Sequence, residues 1–520
     1  MKKRIMCLIG CLVLLSTLLT GCAEWEKDVD PLGTLSEYYH VENTEEPLRT
    51  IQTFTLPYLS NQTMDPITCD DGIQQTVGAL LYESLYELDG QFRPHPCLAA
   101  AETYDPETFT YTITLRKGIS FSDGSPLEAK DVVNTLERAR LSSRYSGRLR
   151  AVEKIKVNEK EDTIALQLSE DNRSFTARLD IPVVKSGTED NTVPVGTGPY
   201  VWVVGESGPY LTPSPLWWQN TTRPFPRIDL LSYKSDDAAM YAFTAREIHL
   251  FAYDPTSSEE LPHALVGDYT DVQSPEMLYL GYHIYEDGVF ADAALRAAVN
   301  ASFDRSGLID SYLMGHGQAT QFPISPISAN YPAELEEPYQ PERFYEALAE
   351  KDFVSDHYWL SARFIVNEEN HFKVAIAKEL LKVLNTGDLH VTLDVLPWEE
   401  FTEAILEGEY DLFLGDVRLP ADWDSSTLVG SGGMMNYGGY YDVDTDLLLQ
   451  EYLSAEEGSR PLITEKLCRK LLESAPITPL LFKEISVLTT DDLLENLHPT
   501  WSDPFYQMES WRVHLDPSIK

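Results

Sequence analysis

The residue types that could perform catalysis or hold a metal do not form a known reactive motif in this sequence. The glycine run that begins at Gly196 is not followed by Gly-Lys-Ser/Thr, and Pro199 removes a backbone donor, so it does not predict a phosphate-binding loop. The acidic run that begins at Asp442 has Leu447 where a calcium loop needs glycine. No two of the eleven histidines lie three or four residues apart, and neither Gly-x-Ser-x-Gly nor His-Glu-x-x-His occurs. We therefore expect a protein that is not an enzyme and that needs neither a cofactor nor a metal site.

The start of the chain carries the pattern of a secretion signal. Residues 2–4 are basic, residues 5–19 are apolar, and Leu19-Thr20-Gly21-Cys22 follows. The apolar run is shorter than the roughly 18 to 20 residues that a membrane span requires. The string that ends at Cys22 resembles a bacterial lipobox, which implies cleavage before Cys22 and lipid attachment to its sulfur. We expect residues 1–21 to be the signal peptide and the polar residues 22–46 to be a flexible tether.

The net charge limits the classes of partner. The sequence has 83 acidic and 40 basic residues, a net charge of −43. Removing residues 1–21 takes away three basic residues and no acidic one, which brings the charge to −46. This charge argues against nucleic acid and against anionic lipid headgroups as partners. About 475 residues then remain for folding, more than one hydrophobic core supports, so we expect two or three domains.

Three cysteines remain besides Cys22 and the two in the signal: Cys69, Cys97 and Cys468. An odd number outside the cell permits one disulfide and one free thiol. Cys69 and Cys97 are the nearer pair, and three buried thiols are an equally good interpretation. No metal-ligand spacing links the three residues.

Residues 82–140 predict the most regular part of the fold. Apolar and polar residues alternate from Phe109 to Leu115, which is typical of a half-buried strand. A turn at residues 122–126 follows, and apolar residues then return at helical spacing. Residues 125–128 have the form of a capping box with Pro126 at the first helical position.

The flanking segments predict further elements. Residues 51–59 are predicted as a first strand. Apolar residues from 73 to 85 form a helical stripe that ends at Tyr82-Glu83. Residues 155–168 alternate again, and we interpret them as the last strand of an inserted subdomain.

The wording of several segments resembles the family 5 extracytoplasmic solute-binding proteins, the peptide and nickel binding proteins of ABC importers. The matching strings run from near residue 50 to near residue 505 and are densest in the first third of that span. The segments that carry the resemblance most clearly are Leu81-Tyr82-Glu83-Ser84-Leu85, Pro96-Cys97-Leu98-Ala99, residues 110–127, Gly196-Thr197-Gly198-Pro199-Tyr200 and residues 290–305.

The resemblance implies an α/β, two-lobed periplasmic-binding-protein-like fold of type II, with an extra subdomain inserted in the first lobe. The implied boundaries, in chain order, are residues 47–89 for the first part of lobe I, 90–188 for the inserted subdomain, 189–280 for the second part of lobe I, 281–478 for lobe II and 479–520 for the C-terminal part of lobe I. Two crossings are expected, near residues 278–284 and near residues 476–482.

The implied function is that of a substrate-binding lipoprotein that captures peptides between two closing lobes and delivers them to a membrane permease and its ATPase. The chain would be a monomer outside the cytoplasm, held at the cell membrane by its lipid. Two alternatives stay open: a binding protein for a nickel chelate or another small charged solute, and a tethered peptide sensor.

The resemblance also implies where the ligand binds. In peptide-binding relatives the strand at residues 410–415 leads to a turn whose aspartate meets the ligand's amino terminus. Asp422 holds that place, Trp423 stands for a tyrosine, and Asp424 is the next candidate if the register slips by two. Arg418 is a candidate partner for a ligand carboxylate, with a salt bridge inside the protein as the alternative. Residues 415–420 depart from the family's usual wording.

Overall fold

The computed structural model describes residues 53–158, 160–256, 267–350 and 360–514. The predicted signal peptide (residues 1–21), Cys22 and the predicted tether (residues 22–46) lie outside the described residues. Within the described ranges, no helix combines the length and the apolar character that crossing a membrane requires.

The described residues form strands and helices in alternating blocks. The strands are β1 (Phe54–Leu59), β2 (Tyr86–Leu88), β3 (Pro94–Pro96), β4 (Ala99–Asp105), β5 (Thr110–Leu115), β6 (Val152–Asn158), β7 (Thr163–Leu168), β8 (Tyr200–Gly205), β9 (Gly208–Pro213), β10 (Ile228–Tyr233), β11 (Leu250–Tyr253), β12 (Asp268–Tyr282), β13 (Gly317–Ala319), β14 (Leu360–Asn367), β15 (Leu389–Leu396), β16 (Leu412–Arg418), β17 (Ile477–Thr489), β18 (Leu494–Glu495) and β19 (Arg512–Val513). The α-helices are α1 (Gly72–Gly78), α2 (Ala129–Leu141), α3 (Asp236–Thr244), α4 (Ala293–Ala301), α5 (Arg305–Leu313), α6 (Glu342–Glu350), α7 (His371–Leu384), α8 (Trp398–Glu407), α9 (Ser426–Val429), α10 (Val443–Ser454) and α11 (Arg460–Ser474). Short 3-10 helices cover Phe175–Arg178, Ala333–Leu335 and Met508–Ser510.

Three larger sheets organise the described strands. The first has the order β1-β10-β9-β8, with β1 and β10 parallel. The second has the order β4-β5-β7-β6 and is antiparallel throughout. The third has the order β11-β17-β12-β16-β14-β15, with β13 paired to β17. Parallel and antiparallel pairs with helices packed against them make an α/β fold, which confirms that part of the prediction.

Strand β5 confirms the alternation that the sequence predicts for residues 109–115. Tyr111, Ile113 and Leu115 are buried, whereas the threonines between them are only half-buried. These residues share one apolar core with Val132 and Leu136 of α2. The apolar face of β5 and the apolar face of α2 therefore pack against each other in a single core.

The segment predicted as one strand over residues 155–168 is instead the hairpin β6–β7, so that prediction is wrong. Val157 of β6 lies opposite Ile164 of β7. Asp162 adopts a positive φ of 54°, and this left-handed residue precedes the return strand. Residues 158–163 are all polar, and the large apolar residues move from odd to even positions across them, so the sequence did carry a signal for this turn.

Helix α1 is shorter than the apolar stripe at residues 73–85 predicts. It ends at Gly78, because the chain beyond it pairs with another segment: the carbonyls of Leu80 and Leu81 accept hydrogen bonds from the backbone N–H groups of Tyr200 and Gly198, at 3.0 and 2.9 Å. A Cβ atom at Gly198 would lie 2.4 Å from the carbonyl carbon of Leu81. The glycine run at residues 196–198 thus allows two backbone segments to touch.

Helix α2 begins at Ala129, three residues later than the predicted start at Pro126, so the predicted capping box is wrong. The residues before it belong to a hairpin, in which Phe121 N–H donates to the Ser125 carbonyl at 2.8 Å and Leu127 N–H donates to the Ile119 carbonyl at 3.0 Å. Glu128 is the N-cap residue, and its backbone N–H donates to the Asp131 carboxylate at 3.1 Å. A capping box exists, but the hairpin shifts it along the chain.

Strands β12 and β17 form the longest pair of the structure as described. They span 15 and 13 residues and run antiparallel, with shifts of register at two points. The other edge of β12 pairs with β16, which sets Glu276 opposite Arg418. The predicted crossings fall at the end of β12 and at the start of β17, and the boundaries proposed for the lobes and the inserted subdomain stay predictions.

Cys69, Cys97 and Cys468 are free and buried. Of the two interpretations left open by the sequence, the structure therefore supports three buried thiols and contradicts a Cys69–Cys97 disulfide. Burial raises the pKa of the Cys97 thiol well above its ordinary value, which keeps it protonated and unreactive.

We expect Gly198→Ala to lower the free energy of unfolding by about 1–3 kcal/mol, because the new methyl group would overlap backbone atoms that cannot move aside independently. Urea denaturation followed by circular dichroism measures this loss. Gly90→Ala is the matched control, since Gly90 is exposed and its Cβ position has no atom within 4 Å. Equal stability of the two variants would contradict the close contact with Leu81.

Candidate functional site

A cavity of about 930 Å³ lies between the first part of the chain and the turn that follows β16. Its wall includes residues near α1, residues between 143 and 151, residues 417–421 with Asp424, and residues 501–509. Among the described residues that line it, twelve are acidic and five are arginines. The volume is in the range of pockets that enclose a small-molecule or short-peptide ligand. The cavity therefore offers charges of both signs to whatever it encloses.

The turn after β16 directs its residues in two opposite directions. Trp423 has a positive φ of 59°, which is uncommon for a bulky residue and costs about 1–3 kcal/mol. Its ring packs edge-on against Phe92 at 5.1 Å and against Phe482 at 5.6 Å, measured between ring centroids. Packing of the buried indole against two rings offsets the backbone cost. Asp422 and Asp424, on either side, then point together toward the opposite wall.

An arginine from the opposite wall joins the two aspartates. Arg178, at the end of the 3-10 helix Phe175–Arg178, donates from Nε to Asp422 Oδ2 at 2.8 Å and from Nη2 to Asp424 Oδ2 at 2.8 Å. The side chains of Arg178, Asp422 and Asp424 are 5%, 0% and 7% exposed. Burial works against the charged forms, but the two aspartates raise the pKa of Arg178, and Arg178 lowers the pKa of Asp424. We call these three residues the ion triad.

Arg418 is held by a second set of charges. It donates to Glu276, its cross-strand neighbour, from Nη2 at 2.5 Å, and the ammonium group of Lys483 binds the same carboxylate at 2.5 Å. Burial opposes the charge of Glu276, yet Lys483 and Arg418 together lower its pKa to about 2. The Arg418 side chain stays 49% exposed and lies over the ring of Trp501, 5.3 Å from its centroid. Arg418 therefore forms the internal salt bridge that was one of its two predicted roles. It also stays accessible from the cavity, as the other role requires.

The structure brings only part of the predicted site to the cavity. Asp424 and Arg418 lie on the described wall of the cavity. Asp422 and Trp423 are packed behind that wall and are not among the described residues that line it. Contact of any of the four with a ligand stays a prediction.

Sequence reasoning missed four of the five arginines on the cavity wall, of which Arg178 is buried and Arg148 is half-buried. Besides Arg178, Arg148 lines the cavity, forms an ion pair with Asp180 and donates to the Arg178 carbonyl at 2.9 Å. Burial lowers the pKa of Arg148 to about 10, and Arg144, Arg178 and Arg418 add to the effect. Its Nε is buried without a hydrogen-bond partner in the described part of the chain. Nothing in the sequence around residue 148 or residue 178 distinguishes these arginines from others.

Glu83 is a buried carboxylate on the cavity wall that has neutral partners. The indole N–H groups of Trp217 and Trp218 donate to it at 2.9 and 3.0 Å. Burial raises the pKa of Glu83 to about 7, although the indoles act in the opposite direction. The residue belongs to the string at residues 81–85 that carries the family resemblance, so a signal for it existed. Its chemistry was not predicted.

No group of three or more His, Cys, Asp or Glu side chains within the described ranges is arranged to hold a metal ion.

A mixed α/β fold of several sheets with a charged cavity is the architecture of a solute-binding protein. Residues 93–436, more than half of the chain, match the family described as bacterial extracellular solute-binding proteins, family 5 Middle. The chain belongs to this family, which confirms the resemblance and the two-lobed type II fold. The family is non-enzymatic and serves ABC importers, which confirms that the chain is not an enzyme.

Individual relatives differ in what they bind. The chain is 23% identical over 486 residues to the oligopeptide-binding protein AppA of Bacillus subtilis, covering 85% of this chain and 88% of AppA. It is 25% identical over 311 residues to the glutathione-binding protein GsiB of Escherichia coli O157:H7, covering 56% of this chain and 59% of GsiB.

Two solved structures show the same fold. AppA of Bacillus subtilis, in complex with a nonapeptide, has a TM-score of 0.62 at 19% identity and covers 89% of this chain and 99% of AppA. NikZ of Campylobacter jejuni, in complex with Ni(L-His), has a TM-score of 0.63 at 16% identity and covers 88% of this chain and 99% of NikZ. At these identities the likeness defines the fold alone.

We expect the stability of the protein to fall as the pH rises from about 4.5 to about 7. The folded-state pKa of Glu83, about 7, lies above its ordinary value of 4.5, so the folded chain binds a proton that the unfolded chain releases. Glu83→Gln, which stays neutral, should remove this part of the pH dependence, up to about 1.4 kcal/mol per pH unit. Urea denaturation at several pH values measures it.

The matched control for this experiment is Glu153→Gln, because Glu153 is an exposed carboxylate on β6. Its pH profile should follow that of the wild type. A Glu83→Gln profile parallel to the wild-type profile would contradict a neutral buried carboxyl at residue 83.

Proposed function

We propose that this chain is the substrate-binding lipoprotein of an ABC importer that captures peptides in the cavity, acts as a monomer and delivers them to the membrane permease and its ATPase. The observation that carries the proposal is a cavity of about 930 Å³ whose wall holds both carboxylates and guanidinium groups. A peptide carries an amine, a carboxylate and a polar backbone, and each loses hydration on enclosure unless a partner replaces the water.

Unpaired charges on the wall support a zwitterionic ligand. Arg150 lines the cavity, is exposed and makes no ion pair or hydrogen bond with any described residue. Burial raises the pKa of Asp503 to about 7, with Glu87 adding to the effect, because no described cation offsets its charge. A ligand carboxylate near Arg150 and a cationic side chain of the peptide near Asp503 would relieve both. A ligand amine at Asp422, as predicted from the resemblance, would have to compete with Arg178, which already pairs with that carboxylate.

We expect short peptides to co-purify with the protein. The purified chain is denatured with acid, and the released compounds are identified by mass spectrometry together with a metal assay. Peptides at a molar ratio near one to the protein support the proposal. A nickel chelate or a compound without peptide bonds would contradict it.

Two charge reversals extend this experiment, one as the test variant and one as its matched control. Arg150→Glu places an acid on the cavity wall, whereas Arg469→Glu makes the same change on α11, where Arg469 is exposed and pairs with Glu465. We expect about tenfold or more loss of bound peptide in Arg150→Glu, the scale of a charge-assisted hydrogen bond of about 1.5–3 kcal/mol. Arg469→Glu should retain the wild-type amount.

The anchor is a separate part of the proposal and rests on Leu19-Thr20-Gly21-Cys22. Lipid on Cys22 would hold the mature chain at the outer side of the cell membrane with residues 22–46 as its tether. We expect Cys22→Ala to abolish both lipid labelling and signal cleavage at this site, as measured by incorporation of a labelled fatty acid and by the mass of the membrane-bound chain. A processed, labelled variant would rule out the lipobox.

A further inference from the structure

The carboxylates predicted to receive a ligand's amine already hold a cation from the chain itself. The guanidinium of Arg178 reaches both Asp422 and Asp424 at 2.8 Å, and all three side chains are at least nine-tenths buried. Arg178 comes from the opposite wall, 244 residues away from Asp422 in the sequence. A cation is thus present at this place before any ligand arrives.

The two carboxylates also accept hydrogen bonds from neutral donors. Asn172 Nδ2 donates to Asp422 Oδ2 at 2.9 Å, and the backbone N–H of Asp424 donates to Asp422 Oδ1 at 3.5 Å. The backbone N–H of Ser426 donates to Asp424 Oδ1 at 2.9 Å. Every oxygen of the pair therefore accepts at least one hydrogen bond from the protein.

We propose that Arg178 is a specificity-determining residue that takes the place of a ligand ammonium group, so that the ligand end at this wall is neutral or anionic. This inference rests on the proposed function of the cavity as a peptide-binding site. The class of ligand it assigns is a peptide that presents a blocked amine or a carboxylate to the turn at residues 422–424.

The cavity wall near the triad carries accessible arginines together with Glu170. Burial and the triad's aspartates raise the pKa of Glu170, although Arg178 and Arg150 act in the opposite direction. Arg150 and Arg418 both line the cavity, Arg150 has no ion-pair partner among the described residues, and the Arg418 side chain is 49% exposed. The buried guanidinium of Arg148 lies near enough to Arg178 and Arg418 for their charges to repel it. A ligand carboxylate or acyl oxygen would accept hydrogen bonds from the exposed guanidinium groups of Arg150 and Arg418.

The test uses a pentapeptide library with free amines mixed in equal amounts with the same library N-acetylated by an isotope-labelled reagent. The mixture is equilibrated with the wild-type full chain, freed of endogenous ligand, and the retained peptides are counted by mass spectrometry against serum albumin. We expect the acetylated form to be retained at least as strongly as the free-amine form. A reproducible wild-type preference for the free amine overturns the inference and leaves the proposed function standing.

A substitution of the arginine gives the second arm. Arg178→Met leaves two buried carboxylates without a cation, so the preference should shift toward free amines by about tenfold or more. Arg173→Met is the matched control, because Arg173 lies five residues away and pairs with Glu456, which is 80% exposed. It should keep the wild-type ratio.

The outcomes separate the two proposals. An unchanged ratio in folded Arg178→Met overturns the inference, and if that variant does not fold the wild-type ratio alone decides. Retention of neither form above the albumin level overturns the proposed function and the inference with it.

Discussion

The antiparallel pairing of β12 with β17 is the constraint on which the rest of the structure depends. Both strands are long and buried over most of their length, so their backbone groups must bond to each other. Strands β11 and β13 pair with β17, and strand β16 pairs with β12. Because β16 is fixed to β12 by its register, the turn that follows β16 has a defined place at the cavity. The positions of Asp422 and Asp424 are consequences of that register, not of the turn alone.

The fold class and the family could be predicted because the sequence carries long strings with their spacing intact, such as residues 110–127. Element ends could not be predicted as well, since distant backbone sets them. Helix α1 stops where the carbonyls of Leu80 and Leu81 bond to residues that follow Gly196. Helix α2 starts late because the residues before it pair in a hairpin. Local propensity and capping patterns contain neither contact.

The candidate site was predictable only on one side. The strand and turn at residues 410–424 could be located from their wording, and Arg418 and Asp424 do border the cavity. Arg178 could not be assigned as the partner of Asp422, because the two residues lie 244 positions apart. Nothing in the local sequence distinguishes Arg178 from the other arginines. Glu83 was visible as part of a motif, but its pKa is raised by burial against the opposing effect of the two indoles, and only folding creates that environment.

The ion triad changes what lobe closure signifies. A ligand shifts an equilibrium between open and closed forms only by the ratio of its affinities for the two forms. When the chain supplies its own bridge between the walls of the cavity, part of the free energy of closure no longer comes from the ligand. The fraction of molecules in the closed form then depends on the ion triad as well as on the bound ligand. A permease that recognises only the closed conformation would also bind protein molecules that hold no ligand. Selection of the ligand must then depend on contacts made inside the cavity.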